Sequence, residues 1–183
     1  MSKAVGRLFE NRIVVWDIPA SRKLFKEGYY GKPLGIPKPK DFEFDAPLIL
    51  DLMEGYYLMK KKTISLEGER GDRLTVKQLE DVCEKSYSDF GEKYMVYKKL
   101  RDAGYVVTPG IKFGSDFAVY EHGPGIDHAP YIVQVMSPRS TITATAMVRS
   151  GRLATTVRKQ FIVAVSDKEK DSVEFLRYDW WRA

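Results

Sequence analysis

The sequence predicts two mixed helix-and-strand domains, a small N-terminal α+β domain and a C-terminal α/β domain built on a mixed sheet. A length of 183 residues is enough for two small domains, each with its own core. A polar break and two helix-start patterns separate the halves, and the second half places one long helical segment between strand-like runs. We place the boundary near Ser86, which gives domains 1–86 and 87–183.

Composition sets limits on the class of protein. Apolar residues make up 44% of the chain and charged residues 30%, as in ordinary globular domains. The net charge of +5 is compatible with a polyanionic partner but does not require one. The single cysteine, Cys83, excludes an intrachain disulfide and favours a reducing, cytoplasmic setting. We expect no signal peptide, because Met1–Glu10 has no apolar core segment, and no membrane span, because no apolar run approaches ~20 residues.

The N-terminal half contains three predicted strands and three predicted helices. The strands are Ala4–Leu8, Ile13–Asp17 and Thr63–Leu66. We expect one helix capped by Ser21, and another that begins near Asp45 with Pro47 in its first turn and Leu48 on its apolar face. The third begins at the capping box Thr75–Gln78 and buries Cys83. The segment 31–40, rich in Gly, Pro and Lys, is predicted to be a loop.

The C-terminal half begins with a helix that starts near Asp89 and stops at Gly104. Three strands, one long helix and two further strands then follow along the chain. The predicted segments are strands Tyr105–Pro109, Asp116–Tyr120 and Tyr131–Met136, a helix Thr143–Val157, and strands Phe161–Ser166 and Ser172–Tyr178.

The two histidines, His122 and His128, lie in one loop between predicted strands. Loops at the end of a rigid sheet concentrate catalytic residues, and histidine transfers protons well near neutral pH. Taken alone, each is also compatible with a solvated loop residue. A metal site would need a further firm ligand beyond Glu121 and Asp127, so we expect none.

Two more residues become informative only in combination with the histidines. Tyr120 closes a strand, where tyrosine is common. Lys159 follows the long helix, where a cation is favoured by the helix dipole. Together with His128 they fall in three segments, Gly104–Tyr120, His128–Val133 and Arg152–Phe161.

The order of these three segments closely resembles the catalytic domain of archaeal tRNA-intron splicing endonucleases. The resemblance runs from about Asp89 to the end, whereas the N-terminal half fits by size and layout only. It implies a core similar to that of restriction endonucleases. It also implies excision of introns from precursor tRNA at bulge-helix-bulge motifs, without a cofactor.

The resemblance further implies a metal-independent triad of Tyr120, His128 and Lys159. Tyr120 would take the proton of the attacking 2′-hydroxyl, and Lys159 would stabilise the charged transition state. His128 would protonate the departing 5′-oxygen, giving a 2′,3′-cyclic phosphate and a 5′-hydroxyl. His128 precedes Ala129-Pro130-Tyr131 as the family's histidine precedes its next strand, although Pro130 departs from the usual pattern. His122 is the competing histidine.

Binding and assembly residues are also implied by the family. Arg152 matches one of two arginines that clamp a flipped bulge base, and Arg182 is the second candidate. In the family's homotetrameric members, an acidic hairpin loop binds in a basic pocket of a neighbouring subunit. Asp167, Glu169 and Asp171 occupy that place here, so a homotetramer is favoured over assembly with an unlike subunit.

Two other functions compete with this interpretation. A metal-dependent DNA nuclease of the restriction-enzyme type would place a Glu-x-Lys pattern after an acidic residue. The strand following Asp116 instead contains Gln134-Val135-Met136, which argues against that chemistry. A non-catalytic RNA-binding subunit would normally have lost a triad residue, and none is lost.

Overall fold

The chain folds into two units, each combining helices with a five-stranded sheet. The computed structural model describes residues 3–37, 39, 41–126 and 128–178. The compact units are Met1–Phe90 and Gly91–Ala183, and both are mixed, which confirms the predicted fold class. The domain limits 1–86 and 87–183 stay a prediction. Within the described residues, no helix combines the length and apolar character needed to cross a membrane.

The first unit packs three helices around a sheet with strand order β3-β4-β2-β1-β5. Only the β1–β5 pair is parallel among its ladders. The strands are β1 (Ala4–Phe9), β2 (Arg12–Val15), β3 (Lys32–Pro33), β4 (Leu48–Asp51) and β5 (Ile64–Glu67). The helices are α1 (Ile18–Gly28), α2 (Leu52–Lys60) and α3 (Val76–Ser86).

Two predicted helix starts in this unit are wrong. Asp17, not Ser21, caps α1, accepting from the Ala20 amide at 2.7 Å. Ser21 is buried inside the helix and donates to the carbonyl of Val15 at 2.9 Å. The helix predicted near Asp45 begins only at Leu52, because residues 48–51 pair with β2 and bury alternate side chains as a strand does.

The capping box of α3 is confirmed, with the Thr75 hydroxyl accepting from the Gln78 amide at 3.2 Å. Cys83 lies fully buried on the inner face of this helix. Burial raises the pKa of its thiol to about 12, so the thiol stays protonated at neutral pH. Cys83 is therefore a core residue, as predicted.

The second unit has strand order β10-β9-β8-β7-β6. The predicted strands and long helix are confirmed: β8 and β9 are parallel, and α5 connects them as a crossover helix. The helices are α4 (Phe90–Asp102), which starts at the unit boundary, and α5 (Ala144–Thr156). The strands are β6 (Val106–Pro109), β7 (Phe117–Tyr120), β8 (Tyr131–Met136), β9 (Gln160–Asp167) and β10 (Ser172–Tyr178).

Candidate active site

Strand pairing brings the end of β7 and the start of β9 to one edge of the second sheet. Tyr120 is the last residue of β7, which runs antiparallel to β8, and β8 runs parallel to β9. The amide of Gln160 donates to the carbonyl of Pro130 at 2.8 Å, which extends the β8–β9 ladder by one step. Lys159 therefore lies at the same end of the sheet as Tyr120. The intervening pairs are Val119–Tyr131 and Tyr131–Gln160.

Tyr120 and Lys159 also lie on the same face of this sheet. Ala118, Ile132 and Phe161 form one cross-strand row, and successive side chains of a strand point to opposite faces. Tyr120 lies two residues after Ala118 within β7, on the face of that row. Lys159 directly precedes β9, and its ammonium lies 5.0 Å from the ring centroid of Phe113, which packs against Ile132 and Phe161. Both side chains therefore lie on the face that carries Ile132 and Phe161. That face packs against α5 through Ala154.

Lys159 is held at the junction between α5 and β9. Arg158 adopts a left-handed conformation with φ 54°, which ends the helix and turns the chain toward the strand. The Lys159 amide donates to the carbonyl of Ala154 at 2.7 Å. Its ammonium donates to the carbonyl of Ala129 and lies 5.0 Å from the ring centroid of Phe113. No local sequence pattern predicts this ring contact.

Both histidines are exposed in the loop that connects β7 to β8. His128 immediately precedes Ala129, whose side chain is buried and whose carbonyl binds Lys159. This hydrogen bond connects the start of β9 to the loop segment that carries His128. The catalytic roles of Tyr120, His128 and Lys159 stay predictions.

The loop is anchored at its two ends by a tyrosine–carboxylate pair. The hydroxyl of Tyr131 donates to the carboxylate of Glu121 at 2.8 Å. This hydrogen bond is the main cause of the raised pKa of Tyr131, because it stabilises the protonated form of the phenol. The pair connects the residue after Tyr120 with the first residue of β8.

Asp116 forms an ion pair and two hydrogen bonds that connect elements of this unit. One carboxylate oxygen accepts from Gln134 Nε2 and from the Val135 amide, each at 2.7 Å. The other oxygen lies 3.0 Å from Lys93 Nζ, and both side chains of this ion pair are largely buried. Within the described ranges, no three His, Cys, Asp or Glu side chains cluster in a way that could hold a metal ion. Asp127, one of the metal-ligand candidates, lies outside those ranges.

The two arginines predicted to bind RNA differ in what the structure shows. Arg152 is exposed in the last two turns of α5, seven residues before Lys159. Its backbone carbonyl accepts from the Thr156 hydroxyl at 2.9 Å. Arg182 lies outside the described residues.

The acidic segment forms the turn between β9 and β10. Asp167 accepts from the amides of Glu169 and Lys170 at 3.0 and 3.3 Å, so its carboxylate fixes the turn. The Nζ atom of Lys168 lies 2.9 Å from a carboxylate oxygen of Glu92 in α4, which forms an ion pair. Glu169 and Asp171 are exposed on the outside of this turn.

Family comparison agrees with this architecture in both units. The model of the tRNA intron endonuclease catalytic C-terminal domain matches residues 90–175. The model of the tRNA intron endonuclease N-terminal domain matches residues 4–80, where the sequence resemblance was weakest. The chain belongs to the tRNA intron endonuclease family and is an endonuclease of that family.

Curated relatives named tRNA-splicing endonuclease align over nearly the whole chain. The protein of Hyperthermus butylicus is 46% identical over 92% of this chain and 93% of its own length. The protein of Pyrobaculum arsenaticum is 42% identical over 93% of this chain and 94% of its own length. The protein of Sulfurisphaera tokodaii is 38% identical over 96% of this chain and 98% of its own length.

Proposed function

We propose that this endonuclease excises introns from precursor tRNA at bulge-helix-bulge motifs by attack of a ribose 2′-hydroxyl on the adjacent phosphorus. The observation that carries the proposal is the shared sheet edge: Tyr120 and Lys159 lie on one face of it, and the Ala129 carbonyl connects Lys159 to the loop of His128. This edge belongs to the domain that matches the family's catalytic model.

The proposed reaction needs a base, an acid and a cation, and we assign these roles to Tyr120, His128 and Lys159. Tyr120, as phenolate, takes the proton of the 2′-hydroxyl while the 2′-oxygen bonds to phosphorus. His128, as imidazolium, gives its proton to the 5′-oxygen as the P–O5′ bond breaks. The products are a 2′,3′-cyclic phosphate and a 5′-hydroxyl, so no water is consumed.

Lys159 contributes charge rather than a proton in this scheme. Its ammonium donates to the carbonyl of Ala129 and lies over the ring of Phe113. A full positive charge at the edge stabilises the additional negative charge on the phosphorane-like transition state.

Metal independence is the first expected result. Purified protein incubated with a bulge-helix-bulge RNA in EDTA should cut both sites and leave 2′,3′-cyclic phosphate ends, because the proposed chemistry uses only protein groups. A matched RNA with a 2′-deoxyribose at each cleavage site should resist cutting, since it lacks the nucleophile. End analysis by phosphatase sensitivity and mass spectrometry provides the measurement.

Two other results of this experiment would contradict the proposed mechanism. If chelation abolishes cutting and Mg²⁺ restores it, the triad mechanism is wrong and a metal-dependent nuclease is favoured. Cutting of the 2′-deoxy RNA would equally contradict attack by the 2′-hydroxyl.

We propose that the protein assembles as a homotetramer through the turn between β9 and β10. The exposed carboxylates of Glu169 and Asp171 would enter a basic pocket of a neighbouring copy, as in the homotetrameric members of the family. Asp167 fixes the turn that presents them, and Lys168 ties the same turn to Glu92 of α4. Two copies would then cut the two sites of a pseudo-symmetric RNA.

Neutralising the three carboxylates should shift the tetramer toward dimers. Because Asp167 fixes the turn and Asp171 has φ 47°, Asp167→Asn and Asp171→Asn together with Glu169→Gln remove the charge while keeping the turn chemistry. Light scattering reports the mass. The matched control removes three exposed carboxylates elsewhere, through Glu10→Gln, Glu69→Gln and Glu84→Gln.

Two results would contradict this assembly. An unchanged tetramer would make the loop a solvated turn. A wild-type chain that stays dimeric and forms tetramers only with an unlike subunit would replace the homotetramer with a mixed assembly.

A further inference from the structure

The segment Gly110–Asp116 contributes none of the proposed triad, yet it forms a tightly constrained turn between β6 and β7. The Gly110 amide donates to the carbonyl of Asp116 at 2.9 Å, and the Phe113 amide donates to the carbonyl of Gly110 at 2.8 Å. A Cβ atom on Gly110 would lie 2.7 Å from the backbone of Phe117. A residue larger than glycine therefore does not fit there without a shift of this backbone.

A buried ion pair holds the end of this turn in place. The Asp116 carboxylate, hydrogen-bonded to β8, contacts Lys93 of α4 at 3.0 Å. The turn is thereby attached both to the sheet and to a helix. Residues Ile111–Phe113 form a short 3₁₀ helix. Gly114, with φ 64°, ends this helix and allows the chain to return to β7.

This turn directs Phe113 onto the face of the sheet that carries Lys159. The ring packs against the cluster of Ile132, Ala154, Phe161 and Val163. The Lys159 ammonium lies 5.0 Å from its centroid, within the ~6 Å at which a ring face attracts a cation. The ring is thus fixed by apolar packing on one side and contacts the cation on the other.

We propose that Phe113 is a positioning residue that holds the Lys159 ammonium at the cleavage edge; this inference rests on the function proposed for Lys159. A lysine side chain has four rotatable bonds, so each contact with a fixed group, such as the Phe113 ring, restricts where its charge lies. The ring face attracts the ammonium and carries no net charge of its own.

Graded fluorination of Phe113 tests the electrostatic part of this role. Fluorine withdraws electron density from the ring face while nearly keeping its shape, so the cation contact weakens stepwise and the packing does not. We expect the single-turnover cleavage rate at saturating RNA to fall with each fluorine, by roughly 2- to 30-fold in total. The same series at Phe161 is the control, because that ring shares the cluster and no cation of the described residues lies over it.

Natural side chains give an independent test of the same inference. Phe113→Leu should lower the single-turnover rate to a similar extent, whereas Phe113→Trp should retain it, because indole attracts cations at least as well as phenyl. RNA affinity should change little in all variants that fold. A flat fluorine series at Phe113 would overturn the positioning role and leave a packing role.

Lys159→Met separates failure of this inference from failure of the proposed function. If Lys159→Met cuts as fast as wild type, Lys159 is not part of the catalytic machinery and the proposed triad fails. If Lys159→Met is impaired while the fluorine series is flat, the triad stands and Phe113 is not its positioning residue. When both ideas hold, fluorination in the Lys159→Met background should have no further effect.

Discussion

His128→Ala should reduce single-turnover cleavage of a bulge-helix-bulge RNA by ~10²-fold or more, with RNA affinity nearly unchanged. The reason is that the 5′-oxygen is a poor leaving group unless it receives a proton as the bond breaks. His122→Ala is the matched control, because His122 lies in the same loop and is also exposed. We expect its effect to be small.

A chemically modified substrate identifies which step His128 serves. An RNA with sulfur in place of the 5′-oxygen has a leaving group that departs readily without protonation. The His128→Ala protein should cut this RNA at nearly the wild-type rate, whereas a variant at Tyr120 should stay impaired. A larger loss for His122→Ala than for His128→Ala would assign the acid to His122. Failure of the sulfur substrate to rescue His128→Ala would remove His128 from the protonation step.

Arg152→Ala should cost ~1–3 kcal/mol of RNA binding or cleavage if its guanidinium stacks on a flipped bulge base. Lysine keeps the charge but offers no plane for stacking, so Arg152→Lys should lose much of the same amount. An RNA with an abasic bulge nucleotide should erase the difference between wild type and both variants. The position of Arg152 near the end of α5, seven residues before Lys159, motivates the expectation.

A salt titration distinguishes stacking from a simple phosphate contact. If Arg152→Lys cuts as well as wild type, Arg152 contacts a phosphate only. In that case Arg152→Ala should show a salt dependence that is shallower by about one counterion, for either RNA. Three proteins and two RNAs in one titration series therefore decide between the two roles.

Local patterns in the sequence determined most of the secondary structure. The capping box at Thr75 specified the start of α3 because the side-chain and amide partners are three residues apart and need no tertiary contact. Short runs of apolar residues specified β7, β8 and β9, and the long segment between the last two predicted the crossover helix. The order of the family's segments led to Tyr120 and Lys159, and strand register brings these two to one edge and one face.

Only the tertiary structure decided features that depend on partners distant in sequence. Residues 48–51 form a strand instead of a helix because pairing with β2 outweighs a local helical pattern. Asp167, predicted as an interface residue, uses its carboxylate to fix its own turn. The contact between Phe113 and Lys159 joins residues 46 positions apart, so no local pattern reports it. Helix caps and apolar patterns depend on residues that are close in sequence. The environment of a charge depends on which distant groups the fold packs around it.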